Sequence, residues 1–128
     1  MYFYDPAGNI VELIARHDLV NGSERSFGGH SLLGISEIGL ATDDVAGTAS
    51  LLGSRLGVGI FRGSQEETFT ALGDDHGLLI VVKQGRTWFP DTAKAAGLYP
   101  VTVLASTDDG EMHCISGPPY RITRPSDP

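Results

Sequence analysis

The chain has 128 residues, 41% of them hydrophobic, with a net charge of -7 and a pI of about 4.8. That is one domain's length with enough apolar material for a core, so a disordered chain is excluded. An acidic surface gains nothing from counterion release on a phosphate backbone, which excludes nucleic acid as a partner. No apolar run reaches the length of a bilayer span, and no basic segment followed by an apolar stretch marks a signal peptide. The single cysteine, Cys114, can make no internal disulfide, so a reducing, cytoplasmic location is expected.

Seventeen glycines and seven prolines fall mostly between short apolar runs, which predicts many short strands and little helix. Met1–Tyr4 reads as a strand. Asp5-Pro6-Ala7-Gly8-Asn9 is turn chemistry, and Ile10–Ala15 is the returning strand. Alternation sets Ile10, Glu12 and Ile14 on one face and Val11, Leu13 and Ala15 on the other, a run apolar enough to be buried on both sides. Residues 16–32 lose the pattern and read as a linker rich in glycine.

Alternation resumes at Ile35–Thr42, with Glu37 on the face of Ile35, Gly39 and Ala41. Asp43 or Asp44 then caps a helix whose apolar stripe is Val45, Ala49, Leu52 and Leu56, and Gly57 stops it. Strands follow at Val58–Phe61, Thr68–Leu72 and Leu78–Lys83, the last two joined by a hairpin turn at Gly73–Gly77. After Pro90 a short helix is expected over Thr92–Ala96. Three strands then follow at about Tyr99–Ala105, Glu111–Ile115 and Tyr120–Thr123, with Asp108-Asp109-Gly110 as a hairpin signal. The predicted fold is therefore α+β. It has a terminal hairpin (1–15), a linker (16–32), a β-α-β-β-β module (33–90) and a C-terminal β extension (91–128).

The run Tyr2-Phe3-Tyr4-Asp5-Pro6-Ala7-Gly8-Asn9-Ile10-Val11-Glu12-Leu13 resembles the end of a module of the vicinal oxygen chelate superfamily, which includes glyoxalases, bleomycin resistance proteins and extradiol dioxygenases. The order from Ile35 to Lys83 resembles a second, complete module. The resemblance implies that Glu12 binds a divalent metal. It aligns Glu37 with a first-strand position that commonly carries histidine, and Ile80 or Val81 with the position of a ligand glutamate. A β-α-β-β-β module needs about 50–60 residues, so the first module is represented by its last hairpin alone. The chain then reads as the C-terminal portion of a two-module protein, and an open sheet edge makes a homo-oligomer the expected assembly.

The chemistry implied is Lewis-acid polarisation of a small molecule bound through adjacent oxygens. Glu12 and Glu37 are the candidate catalytic and metal residues, with Mg²⁺, Mn²⁺ or Fe²⁺ preferred over Zn²⁺ for a carboxylate set. Without a metal, two buried carboxylates would repel, and one could serve as a general base. Arg86, Trp88 and Phe89 are candidate substrate-pocket residues, against the plainer reading that the two aromatics cover a sheet edge. Arg62 could hold a substrate carboxylate. His17, His30, His76 and His113 are spare imidazoles, and strand alternation points His113 and Cys114 to opposite faces, leaving Cys114 as a small core residue. Gly57–Gly63 follows a helix and opens a strand, the reverse of a nucleotide loop. Three functions are expected to compete: a glyoxalase- or dioxygenase-like enzyme, a non-catalytic small-molecule sequestering protein, and an inactive remnant.

Overall fold

The structure, a computed structural model, describes residues 1–90 and 93–125. It is α+β, with one α-helix and three sheets of mostly antiparallel strands. The strands are β1 (Tyr2–Tyr4), β2 (Ile10–Glu12), β3 (Glu37–Thr42), β4 (Ile60–Gln65), β5 (Phe69–Asp74), β6 (Gly77–Lys83), β7 (Val101–Ser106), β8 (Met112–Gly117) and β9 (Arg121–Thr123); α1 spans Val45–Leu56. No helix among the described residues is long and apolar enough to cross a membrane.

The central sheet has the order β3-β6-β5-β4, with β3 parallel to β6 and the other pairs antiparallel. The parallel pair needs a crossover, which α1 with β4 and β5 supplies. Asp44 caps α1 by accepting the Gly47 amide at 2.9 Å, and Gly57 ends it in the left-handed conformation that glycine adopts without a Cβ penalty. Between β5 and β6 the pairing of Asp74 with Gly77 leaves a two-residue turn at Asp75-His76. β4 runs further than expected, because Arg62 and Gly63 both take positive φ and bulge the strand before pairing resumes at Gln65.

Alternation divides the two faces of this sheet. Leu40, Leu72, Leu79 and Val81 face Val45, Leu52 and Leu56 of α1 and form the main core. The third sheet, β7-β8-β9, closes the same core with Ile115, which is fully buried, and the ring of Tyr120. The Tyr120 hydroxyl donates to the Ala41 carbonyl at 2.9 Å, tying the C-terminal sheet to β3. Burial raises the Tyr120 phenol above its ordinary value. The neutral phenol therefore supports the fold below its unfolded pKa, and that support is lost as pH rises through the raised one. Tyr120→Phe should cost about 1 kcal/mol in a denaturant titration, the usual net worth of one hydrogen bond.

Three expectations need correction. The run Ile10–Ala15 is not buried on both sides: Ile14 is 37% exposed, Glu12 is exposed, and regular pairing ends at Glu12. Thr92 lies outside the described residues, and Ala93–Ala96 is not helical. The chain there runs back along 85–88, with Ala96 N bonded to Arg86 O and Trp88 N to Lys94 O, both at 2.8 Å, and a bridge between Thr87 and Ala95. These backbone groups find partners across a strap rather than up a helix, so a good helix-forming composition is overridden. Finally, Cys114 is not a core residue. It is half-buried opposite Leu104, which is 62% exposed on the outer face of β7, while the neighbouring Ile115 takes the inner face.

Candidate functional site

The N-terminal hairpin is set by its turn. Asp5 accepts the backbone amide and the side-chain amide of Asn9, both at 2.8 Å, and Gly8 sits at φ +82°. These bonds hold the Asp5 carboxyl below its ordinary value, so the turn loses support as pH falls through that lowered pKa. The resulting register pairs Tyr2 with Glu12, Phe3 with Val11 and Tyr4 with Ile10. Directly opposed residues of an antiparallel pair share a face, so Tyr2, Tyr4, Ile10 and Glu12 point together.

On that face the Tyr2 hydroxyl donates to the Glu12 carboxylate. Partial burial, this hydrogen bond and the negative charges of Glu12 and Glu37 together raise the Tyr2 phenol above its ordinary value. Glu12 and Glu37, from separate β elements, therefore act on one hydroxyl. Their relation differs from that of a bare carboxylate pair. Arg16 pairs with Glu37, and the two side chains are 16% and 30% exposed. The Arg16 Nε is enclosed with no acceptor. Tyr2 and Arg16 were not among the residues that sequence reasoning selected, although parity could have found them. Arg16 continues the even-numbered face of Ile10, Glu12 and Ile14, and a five-residue turn over 5–9 sets Tyr2 opposite Glu12.

The other candidates are dispersed. Trp88 lies across β3, where a Cβ on Gly39 would come within 2.5 Å of its ring. With Ala41, Phe69, Ile80, Val82 and Ala96 it fills the sheet face opposite α1. The Arg86 guanidinium stacks 5.0 Å from the centre of the Phe69 ring. Phe89 is 75% exposed and meets the Tyr2 ring edge-on at 5.5 Å. Lys94 bonds the Gly8 carbonyl at 2.5 Å and lies 5.4 Å from the centre of the Tyr4 ring, so the strap and the hairpin hold each other. A groove of about 210 Å³ runs between them, lined by Tyr2, Tyr4, Ile10 and Pro90 among others. Arg62 is engaged with Asp18 at 2.5 Å and Asp75 at 3.3 Å, which fastens the linker to the central sheet. His17, His30 and His76 are exposed, and His113 belongs to the C-terminal sheet.

Among the described residues no three of His, Cys, Asp and Glu gather as a metal site. The two carboxylates do not fit a divalent ion as they stand. Glu37 already has its counter-ion inside the chain, and a metal drawing it away would leave the Arg16 guanidinium enclosed without a partner. The chain matches no family model and no curated protein.

The arrangement around Tyr2 is open to a direct check. Replacing Glu12 with glutamine should lower the Tyr2 phenol toward its ordinary value, and Glu37→Gln should do so by less, as followed by ring-proton shifts of labelled tyrosine between pH 8 and about pH 12. A Tyr2 titration identical in all three proteins would separate the two carboxylates from that hydroxyl.

Proposed function

We propose that this chain is a small-molecule-binding module of the glyoxalase and bleomycin-resistance type, holding its ligand without a metal beside the N-terminal hairpin. The supporting observation is the gathering of Glu12, Glu37, Arg16 and Tyr2 next to an aromatic groove. The order β-α-β-β-β over residues 37–83 agrees with that ancestry. At about 210 Å³ the groove is smaller than the pockets that enclose drug-sized ligands, so it suits a single ring. Arg16 balances Glu37, which leaves Glu12 as the uncompensated charge and favours a ring carrying a cationic substituent.

Benzylamine and benzoate serve as matched probes. Benzylamine should give a saturable heat signal in calorimetry, weakened roughly ten-fold by Glu12→Gln, the size expected for a lost charge-assisted hydrogen bond. Benzoate should give none. Equal binding of both probes, or of neither, overturns the reading.

The enzyme reading, in which a divalent cation polarises a substrate held through adjacent oxygens, draws on one observation, that the negative charges of Glu12 and Glu37 both raise the Tyr2 phenol. Titration with Mn²⁺ alone decides between the two. One ion bound per chain, lost in Glu12→Gln, replaces the sequestration reading with the metal-dependent one.

A further inference from the structure

We infer that Asn21 is a modification site, at which the chain converts its own side-chain amide into a carboxylate through a succinimide ring closed by Gly22. The chemistry needs an asparagine amide, a following backbone nitrogen that can reach it, and water. The Gly22 nitrogen gives up its proton to solvent and bonds to Asn21 Cγ. The Cγ–Nδ2 bond breaks, and that nitrogen leaves as ammonia with a proton taken from water. A water molecule then opens the ring. Cleavage between Gly22 N and Cγ gives aspartate. Cleavage between Gly22 N and the main-chain carbonyl carbon gives isoaspartate, with the chain routed through Cβ. Nothing is oxidised or reduced.

Asn21, Gln84 and Asp109 each precede a glycine, and the fold separates them. The Gly85 amide donates to the Ala96 carbonyl and the Gly110 amide to the Thr107 carbonyl, both at 2.8 Å. The Asp109 carboxylate is itself held, by the Thr107 hydroxyl at 2.5 Å and the Glu111 amide at 3.0 Å. A nitrogen fixed in such a bond can neither shed its proton freely nor swing toward the side chain. Among the described residues nothing accepts the Gly22 amide. Asn21 and Gly22 are exposed, and nothing lies within 4 Å of where a Cβ on Gly22 would stand. The chain is anchored on either side: Asn21 N bonds Leu19 O at 2.9 Å, and Arg25 N bonds Ser23 Oγ at 3.2 Å. The link between Asn21 and Gly22 is left free to turn, and glycine turns most readily. The other asparagine, Asn9, is the reverse case. Its side-chain amide donates to Asp5 at 2.8 Å, and Ile10 follows it with a branched side chain that crowds the attacking nitrogen. Either product at Asn21 adds one negative charge to a chain already at -7, in the same stretch as Asp18, which Arg62 holds. The protein thus carries a change of charge that elapsed time sets and no enzyme supplies.

The inference does not rest on the ligand reading, because the groove and Glu12 take no part in it. The folded protein, held for days at about pH 8 and about 37 °C and then digested with trypsin, should yield a 17–25 peptide about 1 Da heavier and split into aspartate and isoaspartate forms by chromatography. The 1–16 peptide, with Asn9, should keep its mass, and the 95–121 peptide, with Asp109, should stay a single species. A parallel sample unfolded in guanidinium should convert at Asn21 within about three-fold of the folded rate, because the fold leaves that link unrestrained. Gly22→Val should slow the conversion at least ten-fold, since a branched side chain shields its own amide nitrogen. An unchanged 17–25 peptide in the folded protein, over the interval in which half of the unfolded sample converts, overturns the inference. So does equal conversion at Asn9, or a Gly22→Val rate that matches the wild type.

Discussion

Gly39→Val is expected to destabilise the protein by about 1–2 kcal/mol, and the same substitution made in a Trp88→Ala background is expected to stabilise it. The two effects have separate origins. Valine is favoured in a strand and glycine is not, a difference of up to about 1 kcal/mol that acts on β3 whatever packs above it. Against this, a side chain at position 39 starts within 2.5 Å of the Trp88 ring, and forcing a filled face apart costs about 1–3 kcal/mol. The strap cannot simply lift, because Ala96 and Lys94 are hydrogen-bonded to Arg86 and Trp88 at 2.8 Å. With the indole gone, only the strand preference remains and the sign reverses. Denaturant midpoints of the four proteins measure the coupling directly. Additive effects with no change of sign would mean that Trp88 does not rest on β3.

The elements best legible in the sequence are those whose signals are local. Asp44 and Gly57 bracket α1 because a cap and a left-handed stop act within one turn of their own residue. The Gly110 hairpin and the Asp5–Asn9 turn follow from backbone conformations that few residues adopt. What was not legible depends on distant partners. The strap at 93–96 has helix-forming residues, and only the backbone of 85–88 redirects it. Cys114 and Ile115 are adjacent apolar residues on β8, and which of them is buried depends on the face that meets α1 and the central sheet. The same limit applied at the site. Glu12 and Glu37 stand out as acids in apolar strands, but the counter-ion on Glu37 comes from Arg16, 21 residues earlier and beyond the end of β2. Sequence parity places Arg16 on the face of Glu12 and gives no hint of its reach to β3.

That counter-ion makes a second large effect predictable. Glu37→Gln removes the acceptor of a guanidinium that is only 16% exposed and whose Nε already lacks a partner. Breaking a fully buried pair costs about 3–5 kcal/mol. Here Glu37 is 30% exposed and water screens part of the charge, so roughly 2 kcal/mol is expected. Most of that loss belongs to the stranded arginine rather than to the bond itself. The double variant Arg16→Met with Glu37→Gln should therefore recover more than half of it, because methionine fills the space without a charge to solvate. Urea midpoints of the wild type, both single variants and the double variant separate the two contributions. If the double variant is as unstable as the sum of the singles, the two residues act independently. Arg16 then does not serve as the internal counter-ion of Glu37, and that carboxylate is free to accept a divalent ion.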